Sequence, residues 1–331
     1  MAPTAAEQHT RKAVGLAAHD ASGHLSPLAI TRRSTGDDDV VIKILYCGIC
    51  HSDLHSIKNE WKNARYPMIP GHEIAGEVTE VGKNVTKFKA GDRVGVGVMV
   101  NSCQSCESCN KGFENHCPGI IPTYNTVDLD GTITYGGYSG IVVVHERFVV
   151  RFPDTIPLDK GAPLLCAGIT VYSPMKYHGL NVPGMHLGVL GLGGLGHVAV
   201  KFGKAFGMKV TVISSSPGKK QEALERLGAD AFIVSKDADE MKQNMTDEAV
   251  MRLQKHTETE EQQRNLQSER EHGSLMLICL RRTPHILKIS KISRIPSSTF
   301  PHSMFTTLSK VSWKQKAAKG KNWRQDDRHS S

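Results

Sequence analysis

Four cysteines stand close together in the segment CQSCESCNKGFENHC, which occupies residues 103–117 and has the spacing C-x2-C-x2-C-x7-C. Four thiolates from one short loop suit tetrahedral coordination of zinc, and a structural zinc site takes all four of its ligands from the protein. An iron–sulfur cluster, which accepts similar spacings, and unconnected surface thiols are the alternatives. We predict a structural zinc site whose ligands are Cys103, Cys106, Cys109 and Cys117. Such a site stabilises the loop that carries it and leaves no coordination position for a substrate.

A second set of metal-binding residue types is divided among three distant segments. CGICHSDLH contains Cys50, GHE contains His72, and LLCAGITVY contains Cys166. Two thiolates and an imidazole leave a fourth position for water or a substrate oxygen, as in a catalytic zinc site. Each residue alone is weak evidence, because an isolated histidine is usually structural and a cysteine among apolar residues usually packs as a small hydrophobe. Their joint order along the chain favours the metal site, whereas Cys47 and Cys279, which have no evident partner, are interpreted as structural.

A glycine-rich segment, GLGGLG at residues 191–196, fits the pattern G-x-G-x-x-G. The pattern alone is common by chance, but here it follows MHLGVL and precedes GHVAVKFGKAFG, which is the strand, turn and helix context of a dinucleotide site. The first glycine permits the tight turn, the second lets a pyrophosphate approach the backbone, and the third allows close packing of helix on strand. We predict that the cofactor binds the whole turn: Gly191, Leu192, Gly193, Gly194, Leu195 and Gly196.

The residues after the next predicted strand, SSSPGKK, favour NADP over NAD. An NAD enzyme places a carboxylate there, on the ribose 2′-hydroxyl, and this segment has none. It offers hydroxyl groups and cations that suit a 2′-phosphate, with an ordinary solvated turn as the alternative. The predicted phosphate ligands are Ser214, Ser215, Ser216, Lys219 and Lys220.

The elements that must position these residues change type along the chain. The first part alternates β-branched runs with turn signals, as in DVVIKILYCGIC and IAGEVTEVG, and predicts a mostly β domain. Residues 185–235 read as strand, glycine turn, helix, strand, helix, strand, which is half of a doubly wound parallel sheet. We therefore predict an α/β protein with a catalytic domain at 1–160, a first half of a Rossmann-type domain at 161–244, and a polar and basic segment at 245–331.

The segment after residue 244 has lost this periodicity. It carries 16 lysines and arginines against 9 acidic residues, whereas the chain up to 244 carries 25 against 24. QKHTETEEQQRNLQSEREHG has no apolar stripe, SLMLICL suits a single buried strand, and the Lys/Ser-rich remainder favours disorder. A nucleic-acid-binding arm is the less favoured interpretation, because the basic residues lack interleaved aromatics and a recognisable module. The half-sheet that results would have three strands and an unpaired edge.

The composition also argues against a membrane protein. The longest apolar runs fall short of the roughly 18 residues that span a bilayer, and the N-terminal residues contain no secretory apolar block. We predict a cytoplasmic protein with no membrane and no nucleic-acid partner. In that reducing compartment clustered cysteines are more typical of a metal site than of disulfides.

Several of these segments together identify a family. From about residue 11 to 244 the chain resembles the zinc-dependent medium-chain dehydrogenases, and most closely the plant cinnamyl alcohol dehydrogenases, in YCGICHSDLH, YPMIPGHEIAGEVTEVG, the four-cysteine loop, APLLCAGITVYSP and LGLGGLGHVAVKFGKAFG. The resemblance implies a GroES-like catalytic domain beside a Rossmann domain, with one catalytic and one structural Zn2+ in each chain. It also implies reversible, NADPH-dependent reduction of cinnamyl aldehydes in lignin and phenylpropanoid metabolism, by a homodimer.

The resemblance assigns roles at the catalytic metal. It implies that Cys50, His72 and Cys166 hold the catalytic zinc, with Glu73 as an alternate ligand when substrate is absent. Asp53 would orient the zinc-bound histidine.

It also assigns roles in the reaction. Ser52 would pass the proton between the substrate oxygen and the cofactor ribose, and His55 would lead that proton to solvent. Thr170 would lie near the nicotinamide. The resemblance therefore implies that zinc polarises the carbonyl, that hydride comes from the nicotinamide, and that Ser52 supplies the proton.

The chain departs from the family at two places. Where the lignin-type members have a tryptophan within IWSYN, this chain has IIPTYN with Pro122, so an aromatic wall of the substrate pocket is lost. The expected substrates therefore include other aromatic or allylic aldehydes. The likeness ends after SKDADEMK, near residue 244, and the homodimer is disfavoured because the segment that forms it in the family is altered.

The end of the likeness leads to two hypotheses. Residues from about 245 come from a shifted reading frame or a mis-joined exon, which sequencing the transcript across codons 235–260 would test; an unbroken frame in independent copies would contradict it. The alternative function is that of a truncated, catalytically impaired paralogue that keeps the structural zinc and part of the dinucleotide site.

Overall fold

The computed structural model describes residues 11–129, 131–244, 276–283 and 286–294. The rest of the segment that the sequence predicts to be polar and poorly packed lies outside the described residues. Among the described residues no helix combines the length and the apolar composition that a membrane crossing requires.

The N-terminal half is mostly β, as the turn-punctuated sequence predicts. β1 (Arg11–Ala18) and β2 (Leu25–Arg32) form an antiparallel hairpin. A five-stranded antiparallel sheet has the order β8-β3-β4-β5-β9 and is formed by β3 (Asp39–Cys47), β4 (Ile74–Val81), β5 (Arg93–Val96), β8 (Ile141–His145) and β9 (Val149–Arg151). The loop that carries the four cysteines lies between β6 (Met99–Asn101) and β7 (Ile121–Pro122), which pair with each other.

The core of this sheet fixes β3, the strand that leads to the predicted catalytic metal site. Val40 and Ile42 are fully buried and pack with Val78, Val94 and Val144 from the neighbouring strands. β-branched side chains of this kind fit the pleated surface of a sheet and pack across strands. The loop that follows β3 is therefore held in place by the sheet core.

Six α-helices lie among the described residues, together with shorter 3-10 and π-helical turns. They are α1 (His51–Ile57), α2 (Glu107–Asn110), α3 (Leu158–Gly161), α4 (Ala167–Tyr177), α5 (Gly194–Ala205) and α6 (Ala238–Asn244). α5 buries one face, including Val198 and Ala199, against the second sheet, as an amphipathic helix beside a sheet does.

The second sheet contains the three parallel strands that the sequence predicts and two more. Its order is β12-β11-β10-β13-β14, with β10 (His186–Leu190), β11 (Lys209–Ser214) and β12 (Ala231–Val234) parallel. β13 (Met276–Thr283), which includes most of SLMLICL, pairs antiparallel with β10 and forms a hairpin with β14 (Ile286–Arg294). The predicted three-strand sheet with an unpaired edge at β10 is therefore wrong, because the backbone of the hairpin satisfies that edge.

The second helix predicted within residues 185–235 is present, but its geometry is irregular. The segment after β11 forms a 3-10 turn at Pro217–Lys219 and a π-helical turn at Glu222–Arg226. The N–H of Leu227 donates to the carbonyl of Glu222 at 3.1 Å, and the chain then turns at Gly228, whose φ is +74°. Wide turns of this type close helix ends ahead of a left-handed residue, so the helical segment before β12 ends as a π-helix instead of a regular α-helix.

Candidate metal and dinucleotide sites

Three side chains from distant segments meet in one buried group. The Sγ atoms of Cys50 and Cys166 and a ring nitrogen of His72 lie within 4.8 Å of one another, and the three residues are 1–2% exposed. Cys50 follows β3 and caps α1, His72 lies just before β4, and Cys166 precedes α4. His72 Nε2 is 3.1 Å from Cys166 Sγ. The sheet and the two helix starts therefore bring together the donor set that a catalytic zinc requires.

The group carries separated charges. Although burial opposes it, hydrogen bonds from Cys166 and His72 lower the pKa of Cys50 to about 5. Burial and the neighbouring Cys50 thiolate raise the pKa of Cys166 well above its usual range. Burial also acts against protonation of His72, but Asp53 outweighs it and raises the pKa of the imidazole. A divalent cation would replace these protons, as metal binding to thiols and imidazoles does.

Asp53 holds the imidazole of His72 in one orientation. Its Oδ1 lies 2.9 Å from His72 Nδ1 and accepts the N–H of Gly71 at 3.0 Å, and its Oδ2 accepts the N–H of Cys50 at 3.0 Å. The carboxylate is 1% exposed, and although burial opposes ionisation, His72 lowers its pKa. With Nδ1 bound to Asp53, Nε2 is the atom that faces the two sulfurs. This carboxylate, histidine and metal arrangement is typical of zinc sites.

Glu73 lies beside the group but outside its three closely placed ligand atoms. It is fully buried, both of its carboxylate oxygens lack a hydrogen-bond partner, and burial raises its pKa well above the usual range. A Cβ atom at Gly48 would lie only 1.8 Å from Glu73 Oε2, so glycine at this position gives the carboxylate its room. A buried acceptor without a partner calls for an explanation. Together with the two thiols and the imidazole, it fits a site for a divalent cation such as zinc.

The side chains expected to move the proton lie along α1. Ser52 is buried, and its Oγ is 3.5 Å from Cys50 Sγ. His55, one turn further on, contacts Glu60 through Nδ1, and its ring centroid is 5.4 Å from that of Trp61. Thr170 stands in the first turn of α4, where its N–H donates to the carbonyl of Cys166 at 3.0 Å.

Sequence reasoning missed three side chains around this group. The hydroxyl of Tyr138 lies 3.3 Å from Asp53 Oδ2, and the Tyr124 ring centroid lies 6.0 Å from that of His72. Glu60 contacts His55. No spacing rule connects a tyrosine to a carboxylate 85 positions earlier. The one local signal for a close approach of the backbone was the glycine pair that precedes Tyr138.

The four cysteines of the loop between β6 and β7 form a second group with all Sγ atoms within 4.8 Å. The Sγ atom of Cys103 lies 3.3 Å from that of Cys117 and 3.9 Å from that of Cys109. The pKa of Cys103 is lowered to about 6, mainly because its sulfur accepts a hydrogen bond from the backbone N–H of Ser105. Four sulfur atoms in this geometry fit a zinc ion with all four positions taken by sulfur.

The glycine turn has the geometry of a phosphate-binding turn. Gly191 has a φ of +89° and donates its N–H to the carbonyl of Ile213 at 2.8 Å, which ties the turn to β11. α5 begins at Gly194. A Cβ at Gly196 would lie 2.1 Å from the Gly191 carbonyl oxygen, so the close packing of turn and helix depends on that glycine. The start of α5 thus presents unpaired N–H groups that attract an anion.

The side chains of the turn have two different roles. Leu192 and Leu195 are 2–3% exposed and pack in the core, so they contribute through their backbone. Lys219 Nζ donates to the carbonyl of Leu192 at 2.7 Å, which brings its charge to the turn.

The other predicted phosphate ligands follow β11. Ser214 is buried at the end of β11, whereas Ser215, Ser216 and Lys220 are exposed. Hydroxyls and cations without a carboxylate fit a 2′-phosphate.

The chain matches two family models. One, described as "Alcohol dehydrogenase GroES-like domain", covers residues 36–154, and the other, described as "Zinc-binding dehydrogenase", covers residues 194–317. "Probable cinnamyl alcohol dehydrogenase 5" of Oryza sativa subsp. japonica is 83% identical over 241 residues, which are 73% of this chain and 66% of that protein.

Two solved structures are similar in fold and sequence. A cinnamyl alcohol dehydrogenase from Sorghum bicolor has a TM-score of 0.69 and 65% identity, covering 70% of this chain and 67% of its own. A Helicobacter pylori structure described as that of CAD complexed with NADP(H) has a TM-score of 0.65 and 46% identity, covering 68% of this chain and 65% of its own. This chain therefore spans about two thirds of the length of these relatives.

Proposed function

Because the chain belongs to the zinc-binding alcohol dehydrogenases with a GroES-like domain, the family of the plant cinnamyl alcohol dehydrogenases, we propose that it reversibly reduces aromatic or allylic aldehydes to alcohols with NADPH. The observation that carries the proposal is the buried convergence of Cys50, His72 and Cys166 from three distant segments. We assign the GroES-like catalytic domain to residues 1–160 and the dinucleotide-binding half-domain to residues 161–244, the boundaries that the sequence predicts.

In this proposal Cys50, His72 and Cys166 hold a catalytic zinc. When bound there, zinc supplies a Lewis acid that polarises the aldehyde carbonyl. Asp53 keeps His72 in the orientation that leaves Nε2 free for the metal, and Glu73 is the alternate ligand. Burial of all these groups excludes water from their surroundings, which strengthens their electrostatic effect. Cys103, Cys106, Cys109 and Cys117 hold a second, structural zinc.

The cofactor that we propose is NADP(H), bound along the turn Gly191, Leu192, Gly193, Gly194, Leu195 and Gly196. The backbone N–H groups of that turn bind the pyrophosphate, and Thr170 on α4 lies toward the nicotinamide. The 2′-phosphate is bound by Ser214, Ser215, Ser216, Lys219 and Lys220. The contact of Lys219 with the carbonyl of Leu192 supports this assignment, because it brings the ammonium group to the turn that holds the rest of the cofactor.

The proton that completes the alcohol passes through Ser52. Its buried hydroxyl adjoins Cys50, so it can donate to the substrate oxygen and accept a proton from the cofactor ribose. His55 connects this hydroxyl to solvent. Glu60 contacts His55 through Nδ1 and holds the imidazole that we propose for this exchange.

The substrate class follows from the walls of the site. Pro122 stands where the lignin-type members have tryptophan, so stacking on a phenyl ring is weaker than in those members. Tyr124, whose ring is 6.0 Å from that of His72, keeps one aromatic surface near the metal group. We therefore propose phenylpropanoid aldehydes, including those of lignin metabolism, together with other conjugated aldehydes. The free thiolates that the site needs are maintained in a reducing compartment, for which we propose the cytosol.

The test is aldehyde-dependent oxidation of NADPH by the purified full chain, with cinnamaldehyde as substrate. We expect turnover with NADPH, slower turnover with NADH, and loss of both in Cys166→Ser. Absence of turnover with conjugated aldehydes in a chain that holds metal at both groups would overturn the proposal.

The second candidate function is that of an impaired paralogue that keeps the structural zinc and part of the dinucleotide site. The observation that favours it is that β13 pairs antiparallel with β10, where a doubly wound sheet continues in parallel. This candidate predicts metal at the four cysteines, weak NADPH binding, and no turnover.

A further inference from the structure

We infer that Tyr138 is a positioning residue for the catalytic metal centre: its hydroxyl donates to Asp53 and thereby fixes the orientation of His72. Asp53 Oδ2 accepts from Tyr138 Oη at 3.3 Å and from the N–H of Cys50 at 3.0 Å. Its Oδ1 is occupied by the N–H of Gly71 and by His72 Nδ1. The inference rests on the proposed zinc site, and its test separates the two.

The need for this donor follows from the burial of Asp53. A carboxylate that is 1% exposed loses its hydration and is stable only when each oxygen accepts hydrogen bonds from the protein. Besides His72, the hydroxyl of Tyr138 is a side-chain donor to Asp53, and the hydroxyl of Tyr124 also interacts with this carboxylate. Burial is the main cause that raises the pKa of the Tyr138 phenol, followed by the charge of Asp53, so the hydroxyl keeps its proton and remains a donor at neutral pH.

The backbone that carries Tyr138 is bound to the segment that carries His72. We call residues 135–139 the brace loop. Three consecutive N–H groups of this loop donate to carbonyls just before His72: Gly136 to Ile69 at 2.7 Å, Gly137 to Gly71 at 2.8 Å and Tyr138 to Pro70 at 2.9 Å. The tyrosine therefore connects through its side chain to Asp53 and through its backbone to Pro70, in the segment that leads to His72.

The packing leaves Tyr138 little freedom. A Cβ at Gly71 would lie 2.6 Å from Tyr138 Cδ1, and a Cβ at Gly137 would lie 2.6 Å from Cys47 Sγ. Glycine at these two positions lets the ring and the brace loop approach the metal group closely. Cys47 fills the space behind Gly71 and Gly137, which gives this thiol a packing role.

A buried guanidinium holds the brace loop from its other side. Arg32, at the end of β2, donates to the carbonyls of Tyr135 at 2.6 Å and Gly136 at 3.3 Å, and to Ser139 Oγ at 2.9 Å. Burial lowers the pKa of Arg32 to about 10, so it stays charged at neutral pH. Charge-assisted hydrogen bonds of this type are among the stronger ones in proteins. The chain of contacts thus runs from β2 through the brace loop and Asp53 to His72.

The test compares Tyr138→Phe with the unaltered full chain by titration with Co2+ as the metal probe. The substitution removes one hydroxyl and keeps the ring, so packing on Gly71 is preserved. We expect the apparent Kd for Co2+ at the three-ligand site to rise about threefold to tenfold, less than the roughly 10–100-fold typical of direct partners of metal ligands. The visible absorption bands of Co2+ at that site should also change, because the orientation of the imidazole changes.

Tyr135→Phe is the matched control, since Tyr135 belongs to the same loop and apolar cluster and accepts the hydrogen bond of Arg32 through its backbone carbonyl. Co2+ at the four cysteines reports the folding of each variant in the same sample. Unchanged affinity and unchanged bands in Tyr138→Phe would overturn the inference alone. Equal losses in both variants would also overturn it, as a packing effect. Failure of the unaltered chain to bind Co2+ outside the four cysteines would overturn the proposed zinc site itself.

Discussion

The chemistry of this chain depends on a few buried groups whose charges have no access to bulk water. Of the two neighbouring thiols, Cys50 is the one whose pKa is lowered. His72 and Asp53 form a charged pair beside it. Glu73 brings a further carboxylate that has no hydrogen-bond partner. Ionisable groups are costly to bury, so the presence of several of them together in one place indicates a function rather than a contribution to stability.

The first prediction at this scale concerns proton transfer by Ser52. Ser52→Ala removes the hydroxyl that we propose as the proton donor, and we expect kcat for aldehyde reduction to fall by about 10²–10⁴, the usual contribution of a positioned acid or base. Metal content should be unchanged, because Ser52 is not among the clustered ligands. Ser52→Thr keeps a hydroxyl and should restore most of the rate. A rate for Ser52→Ala within twofold of the unaltered chain would contradict this role.

The second prediction concerns the choice of cofactor. Lys219→Ala removes an ammonium group from the turn that we propose as the phosphate site, so KM for NADPH should rise about tenfold, equivalent to one charge-assisted hydrogen bond. KM for NADH, which lacks the phosphate, should change little. Lys201→Ala, an exposed lysine on α5, is the control. Equal increases for both cofactors in Lys219→Ala would show that the lysine does not recognise the 2′-phosphate.

The elements position these groups through short connections at the ends of strands. β3 leads directly into Cys50 and α1, and β10 leads through Gly191 into α5. Because the strands are fixed by their cores, the residues at these junctions have little freedom. A single added methyl group at such a junction should therefore disturb the site that the junction positions.

Gly196→Ala tests the junction between β10 and α5. The new Cβ would lie 2.1 Å from the carbonyl oxygen of Gly191, so the turn or the helix must shift. We expect a loss of about 1–3 kcal/mol in the free energy of unfolding, as for other overpacked sites, and at least tenfold weaker NADPH binding. Thermal unfolding and fluorescence titration with NADPH measure the two effects. Gly140→Ala, where a Cβ meets nothing within 4 Å, is the control, and equal behaviour of the two variants would contradict the expectation.

Asp230 links the end of α5 to β11 and gives a pH-dependent prediction. It accepts from Lys204 Nζ at 2.8 Å and from the N–H of Val210 at 2.7 Å, and although burial opposes ionisation, these bonds lower its pKa. A carboxyl group whose pKa is lower in the folded state stabilises above its unfolded pKa of about 3.9, and the effect disappears as pH falls through the folded pKa.

Asp230→Asn should therefore lower the free energy of unfolding at pH 7 by about 0.5–1 kcal/mol, a value reduced by the partial exposure of the pair. The difference from the unaltered chain should vanish as the pH approaches the folded pKa. Asp159→Asn, in an exposed pair 3.8 Å from Lys160, is the control. Chemical denaturation at pH 7 and at acid pH measures the free energy of unfolding of each variant. A difference between Asp230→Asn and the unaltered chain that persists at acid pH would contradict the assignment.

At the scale of the whole molecule, some features were predictable because their cause is local. The spacing of Cys103, Cys106, Cys109 and Cys117 predicts a single cluster, and the order of strand, glycine turn and helix predicts β10 and α5. The grouping of Cys50, His72 and Cys166 was accessible through family resemblance, since no local pattern connects residues 94 positions apart.

Other features depend on tertiary contacts that no local pattern encodes. The link from Tyr138 to Asp53 and the contact of Lys219 with the carbonyl of Leu192 both belong to this class. The direction of β13 does too, because an apolar run pairs equally well in either direction with the edge of β10.

The segment after residue 244 keeps two untested predictions. The match to the zinc-binding dehydrogenase family extends to residue 317, beyond residue 244, near which the resemblance of the sequence motifs ends. A shifted reading frame stays a prediction for transcript sequencing, and so does the expectation that the altered segment disfavours a homodimer.

The most direct test of the account is the metal content of the purified full chain and of Cys166→Ser, measured by elemental analysis. We expect about two zinc ions per unaltered chain and about one in Cys166→Ser, because the four-cysteine site does not depend on Cys166. Cys47→Ala, which removes a nearby thiol outside the ligand group, should keep about two. One zinc per unaltered chain, or an unchanged content in Cys166→Ser, would contradict the existence of the catalytic metal site.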